Sequence, residues 1–321
     1  MLLFVDNSII LTENYYLVKA RMHAKQRKAF FWFIFLVTVL SIPVLLLYGS
    51  GYRYNLKQNK LVQTGSIFIS TTPNDAKIYL NDELVLSKNP KLVNNLTPNE
   101  YLVSIKKDGY YDWSKKILVE SKQTSFANEI ILVKKDSAAE KVYAADLPEK
   151  NLSDALTDEI TSIVKQLALS DDIKVKNINN GWLVILDKKT QQLYLAKNTN
   201  SSLKIEKIAY SAKNFSVSKN DAKKILFYND LEIWSYDLDK LEATLVTRQS
   251  EKVNEAIWLS DNYVIYAESG KINVIELDSR EPRHNYNIAS VNNSSELLLD
   301  KKENNLYYKV GEEYFKISLL D

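Results

Sequence analysis

The 321-residue chain has no cysteine, only two histidines, seven glycines and six prolines. Without cysteine there is no disulfide framework, no thiolate metal site and no thiol nucleophile. A nucleophilic triad requires a histidine beside a serine or cysteine. His23 precedes a long apolar run, and His284, in "EPRHNYN", reads as a solvated loop residue. The few glycines spell neither a P-loop nor a dinucleotide-binding turn, and no zinc spacing is present. No catalytic residue, cofactor or metal is therefore expected. Excess charge of one sign is missing too, with 42 basic residues against 40 acidic. Nucleic acid is not an expected partner.

What the chain does have is one uninterrupted apolar run, "AFFWFIFLVTVLSIPVLLLY" from Ala29 to Tyr48. About 20 uncharged residues at roughly 1.5 Å each cross a hydrocarbon core of about 30 Å. The run predicts a single transmembrane helix over residues 29–48, with the lipid bilayer as its partner. Pro43 is tolerated inside such a helix. Five basic residues, Lys19, Arg21, Lys25, Arg27 and Lys28, precede it against Asp6 and Glu13. The positive-inside rule then makes residues 1–28 a cytoplasmic tail and puts the C-terminal part outside the cell membrane. Subtracting that tail's charges from the chain totals leaves 37 basic and 38 acidic residues, so the outer part is nearly neutral.

After a juxtamembrane linker, residues 49–61, short runs alternate with period two: Ile67 and Ile69, Ile78 and Leu80, Val103 and Ile105, Ile117 and Val119, Ile130 and Leu132. Such runs bury one face of a strand. Pro73, Pro90 and Pro98 fall between them, where turns belong. The pattern predicts a small antiparallel β-sandwich over residues 62–134. Pro73, Asn74, Asp75 and Ala76 in "ISTTPNDAKIYLND", Gly65 before the first strand, Pro90, and "LTPNEYLVSIKKDGYYDW" with Gly109 and Tyr110 carry a resemblance. This segment resembles the PEGA domain, a β-sandwich module of surface proteins. The family usually has glycine near Asp82 or Glu83 and at Asn99; Asn and Asp are the next most tolerant of positive φ. The resemblance implies an extracytoplasmic, noncatalytic module that contacts envelope polymers or other surface proteins.

Residues 135–155 read as a polar linker. Leu156, Ile160, Ile163, Val164 and Leu167 then share one face of a short helix, with Ser153 available as N-cap, although the same letters also suit a strand. Beyond it Tyr194, Trp234, Val274 and Phe315 recur about 40 residues apart, each preceded by another β-run. That period predicts the blades of a β-propeller-like domain over residues 156–321. Four units are visible, with room for a fifth in residues 155–180. The region resembles WD-repeat-like propellers of bacterial envelope proteins, Trp258 and Asp261 standing at motif positions. The last β-run ends at Leu320, and an open final edge invites aggregation. A strand from residues 155–180 is expected to cover it.

The fold class is thus all-β with one N-terminal transmembrane helix. The expected function is a membrane-anchored extracytoplasmic binding or scaffold protein, recognising a cell-wall or surface polysaccharide or an envelope protein. Tyr111 and Trp113, on one strand face opposite Tyr110, are the candidate ligand-contact residues; since one of the two faces must be core, packing of these rings is the favoured alternative. The alternative is an envelope hydrolase using propeller carboxylates, since glycoside hydrolysis needs only two acids at a set separation.

Overall fold

The computed structural model describes residues 24–55, 59–85, 90–135, 137–148, 154, 157–178, 181–199, 202–218, 223–291, 294–300, 302 and 304–320. Helix α1, Ala24–Gly49, is apolar all round from Ala29 onward, and among the described residues nothing buries its spanning segment. It is the one helix among the described residues long and apolar enough to cross a membrane. The hydroxyls of Thr38 and Ser41 are satisfied within the helix, Thr38 donating to the Ile34 carbonyl at 2.9 Å and Ser41 to that of Thr38 at 2.9 Å. A two-stranded hairpin follows, β1 (Tyr52–Asn55) with β2 (Lys60–Gln63).

The sandwich places β3 (Gly65–Thr72) between β6 (Lys91–Leu96) and β9 (Thr124–Ile131). The facing sheet has the order β5 (Glu83–Leu84), β4 (Lys77–Leu80), β7 (Asn99–Lys106), β8 (Trp113–Val119). The sandwich is mixed rather than wholly antiparallel, because β9 runs parallel to β3. Returning beside the first strand in its own direction lets the last strand close the sheet on the side opposite β6. The period-two runs land inward: Ile67, Ile69, Val103, Ile105 and Ile117 are fully buried, each contributing about 1.5–3 kcal/mol. Pro73 and Ala76 make the turn between the sheets, with the Ala76 amide 3.4 Å from the Pro73 carbonyl and the Ala76 methyl against the core. Asn81 and Asp82 take positive φ, 49° and 67°, in place of the family glycines, whereas Asn99 is an ordinary strand residue. Gly65 admits no side chain: a Cβ there would stand 2.2 Å from the Glu120 carbonyl.

Four consecutive antiparallel sheets form the repeat region. Blade 1 holds β11 (Ile173–Ile178), β12 (Trp182–Asp187), β13 (Gln192–Thr199) and β14 (Ser202–Ala209). Blade 2 holds β15 (Asn214–Val217), β16 (Lys224–Tyr228), β17 (Glu232–Asp237) and β18 (Glu242–Arg248). Blade 3 holds β19 (Val253–Ser260), β20 (Tyr263–Glu268), β21 (Lys271–Glu276) and β22 (Asn285–Ser290). The repeat residues Tyr194, Trp234, Val274 and Phe315 sit on the third strand of each unit, opposite Ile185, Phe227, Ile265 and Tyr308. Both faces of the central strands of blades 2 and 3 are buried because each of these blades packs between two neighbours. Along β20, Tyr263, Ile265 and Ala267 join one core cluster while Val264 and Tyr266 join that shared with blade 2.

Blade 4 is completed from far upstream. β23 (Ser294–Asp300), β24 (Asn305–Val310) and β25 (Glu313–Ser318) are capped by β10 (Glu140–Val142), which pairs with β25 through Lys141 and Phe315. The final edge is therefore covered, by residues 140–142 and not by the expected 155–180. Those residues are used otherwise, for helix α2 (Asp158–Gln166) and for β11, and four blades are seen among the described residues. Ile160 and Ile163 of α2 cover the face of blade 1 turned away from blade 2. Its N-cap is Thr157, which accepts from the Ile160 amide at 3.3 Å; the expected cap Ser153 and Leu156 lie outside the described residues.

Candidate functional site

The aromatic segment 110–113 is placed by the turn before it. Gly109 has φ of 82°, and the chain then leaves the β-sheet ladder: Tyr110 bridges Lys134 and the Tyr111 amide donates to the Val133 carbonyl at 2.8 Å. Simple strand alternation does not hold here, so Tyr110 and Trp113 are both buried, each 1% exposed. Trp113 opens β8 and begins the inward series Trp113, Lys115, Ile117, Val119. Of the two candidate contacts, Trp113 is core, as the packing alternative has it, and Tyr111 is half-buried, because blade 3 covers the face that the sandwich leaves open.

The two domains interleave their rings at that seam. Tyr111 stacks on Tyr286 with centroids 4.9 Å apart, Tyr286 on His284 at 5.5 Å, and His284 lies 6.1 Å from Trp113. Hydroxyls close the stack: Tyr111 donates to the Asn287 carbonyl and Tyr286 to the Asp112 carbonyl, both at 3.2 Å. His284 is consequently half-buried, with Nε2 3.0 Å from the Ser114 carbonyl, and is no solvated loop residue. Contacts of this kind combine buried area with directional stacking and a satisfied polar tip.

Beneath the rings lies a buried ion pair. Lys115 Nζ sits 2.5 Å from Glu276 Oε1, the two side chains 0% and 2% exposed. The ammonium also donates to the carbonyls of Asp278 at 2.9 Å and Arg280 at 2.6 Å. Glu276 further accepts from the Trp113 indole at 3.0 Å and the His284 amide at 3.0 Å. Both charges are thus enclosed by hydrogen bonds, the condition under which a buried pair is tolerated. The sequence did hold a signal for Lys115: strand parity from Ile117 and Val119 puts it on the core side, where a lysine needs a partner. Glu276, His284 and Tyr286 had no comparable mark.

A cleft of about 360 Å³ opens beside the seam, lined among others by Trp113, Glu276, Asp278, Arg280, Arg283 and, from blade 2, Asp237. Of its acids, Glu276 and Asp278 are engaged with Lys115 and Arg280. Burial would raise the Asp278 carboxyl, but hydrogen bonds from Arg280 and the charges of Lys115 and Arg280 hold it below the usual range. Burial pulls Arg283 down against the surrounding carboxylates. A glycosidase acid needs a carboxyl that is raised so that it keeps its proton; Asp278 is shifted the other way. Among the described residues no cluster of three or more histidine or acidic side chains could hold a metal ion.

No curated protein matches the chain. Among solved structures it is similar to the extracellular domain of a one-component system candidate from B. thetaiotaomicron, at 10% identity and TM-score 0.39, covering 84% of this chain and 32% of that one. The chain spans about a third of the length of that structure. YCF48 from Cyanidioschyzon merolae shares 11% identity at TM-score 0.37 over 68% of this chain and 79% of its own. PorZ, a surface component of the type-IX secretion system of Porphyromonas gingivalis, shares 12% at TM-score 0.35 over 81% and 37%. Within the chain, residues 64–131, from the first strand of the sandwich to its last, match the PEGA family model. With Pro73, Ala76, Gly109 and Tyr110 in the positions that build its turns and core, that segment is a PEGA domain.

Proposed function

We propose that the protein is a noncatalytic recognition scaffold of the cell envelope, held by α1 in the cytoplasmic membrane with its β domains outside. The observation that carries this reading is the seam. Lys115, Trp113 and Tyr111 of the PEGA domain are spent on fixing it to blade 3, so the aromatic and charged groups most suited to chemistry serve as a rigid joint. A fixed joint pre-organises a composite surface and lowers the ordering cost of binding. The PEGA domain keeps an apolar row for contact: exposed Leu92 and Phe126 flank half-buried Phe68 as direct neighbours across the outer face of its three-stranded sheet, with the two rings 6.1 Å apart. The expected partner is an envelope polysaccharide or protein.

Photo-crosslinking from position 126 in intact cells, followed by purification of the full chain, tests this reading. A discrete envelope adduct that disappears in Leu92→Asp/Phe68→Ser is the expected result. An adduct indifferent to those substitutions contradicts the assignment of the face, and substrate turnover abolished by Asp278→Asn contradicts the noncatalytic reading. Protease added to spheroplasts should digest the β domains; their protection would refute the orientation.

A further inference from the structure

The hairpin β1–β2 carries an apolar pair that the described residues leave half exposed. Tyr54 and Leu61 are cross-strand partners, so they share one face, and they are 53% and 51% exposed. What fixes their surroundings is the helix next to them. Ser50 still donates to the Leu46 carbonyl at 2.9 Å, so helical bonding ends about where the hairpin begins. Tyr54 is only five residues on from Gly49, at most roughly 18 Å of chain.

The hairpin is also clamped to the helix end from both of its faces. From the Tyr54 and Leu61 side, Gln63 Nε2 donates to the Ser50 carbonyl at 3.0 Å. From the other side, the Arg53 guanidinium lies 3.6 Å over the Tyr48 ring and donates to the Tyr48 carbonyl at 2.9 Å. Arg53 reaches on to Asn95 Oδ1 of β6 at 3.0 Å, and Thr64 donates to the Gly51 carbonyl at 2.9 Å, linking the clamp to the sandwich. The hairpin is therefore held at the point where α1 leaves a bilayer.

We infer that the Tyr54 and Leu61 face of the hairpin lies in the headgroup region of the bilayer that α1 crosses, as a second membrane contact beside the anchor. This rests on the anchor reading given above. Tyrosine suits that layer, its ring among acyl chains and its hydroxyl among polar groups. With the hairpin bound and Arg53 tied to β6, the PEGA domain meets the membrane at a set angle, where a free linker would let it turn.

The absence of cysteine makes the test direct. Full-length chain carrying a single spin label at Leu61→Cys is reconstituted into vesicles of phosphatidylcholine and phosphatidylglycerol, with labels at Leu40→Cys and Tyr210→Cys as references. The Leu61 label should be relaxed by oxygen in excess over a water-soluble nickel chelate, as for a side chain sunk roughly 5–10 Å into the interface. The Tyr210 label should show the reverse. A Leu61 label as chelate-accessible as that at Tyr210, with Leu40 shielded, overturns the hairpin contact while leaving the anchor intact. A chelate-accessible Leu40 label overturns the anchor and the hairpin contact with it. Tyr54→Cys, on the partner strand, must repeat the Leu61 result; an aqueous reading there likewise contradicts the proposal.

Discussion

Lys115 on β8 of the PEGA domain and Glu276 at the end of β21 in blade 3 meet at 2.5 Å, both out of reach of solvent. The pair joins two domains that the sequence separates by a linker, and its partners are all seam residues. Removing one member leaves an uncompensated buried charge, which costs about 3–5 kcal/mol. Lys115→Met should therefore destabilise the chain by that amount. Calorimetry should resolve one transition for the parent and two for the variant, since domains uncoupled from each other melt separately.

The same burial fixes the effect of the aromatic substitutions. Trp113→Ala and Tyr110→Ala should each lower stability by about 3–5 kcal/mol, the range for emptying a large aromatic site. Chemical denaturation followed by far-UV circular dichroism measures both. An unchanged midpoint for Trp113→Ala would place that ring outside the core.

Much of the architecture was legible beforehand, and the reason differs by element. Helix α1 is a matter of length and composition alone. The PEGA strands show because Ile67 and Ile69, like Val103 and Ile105, recur with period two and the turns carry proline, asparagine and aspartate. The blades show through their period. The seam was not legible, because alternation reports that a face is apolar or polar but not that a second domain will cover it. Tyr111 and Trp113 read equally as contact or core residues for that reason, and His284 reads as a loop residue. Strand β10 was hidden for another reason: three residues, Glu140 to Val142, are too few to show a period, and their pairing with β25 is set by an edge at the far end of the sequence.

That edge gives the next prediction. E140G/K141P/V142G withdraws the cap from β25 and leaves its ladder groups open. The variant should self-associate, since exposed edges pair with other chains. Light scattering on heating should rise at a lower temperature than for the parent; coincident curves would show that β10 protects nothing.

Asp187 at the end of β12 should make blade 1 acid-sensitive. Burial raises its pKa, but the Ser170 hydroxyl at 2.5 Å and the amides of Ser170 and Thr190 outweigh this and hold it at about 2, against 3.8 unperturbed. A depressed folded pKa means that the stabilisation is complete above about pH 4 and is lost as pH falls toward 2. Asp187→Asn should cost up to about 2 kcal/mol at pH 7 and nothing below the folded pKa. Denaturation midpoints of parent and variant measured between pH 7 and pH 2 should converge at the acid end.

The central claim is that the PEGA domain and the propeller form one rigid body. The most direct measurement is the distance between spin labels at Leu118→Cys in β8 and Tyr210→Cys after blade 1, two exposed positions in an otherwise cysteine-free chain. Double electron–electron resonance on the full-length protein in bilayers should give a single narrow distance peak, and the peak should broaden when Lys115→Met is added. A broad distribution in the Lys115 background, of the kind a flexible linker produces, would contradict the account.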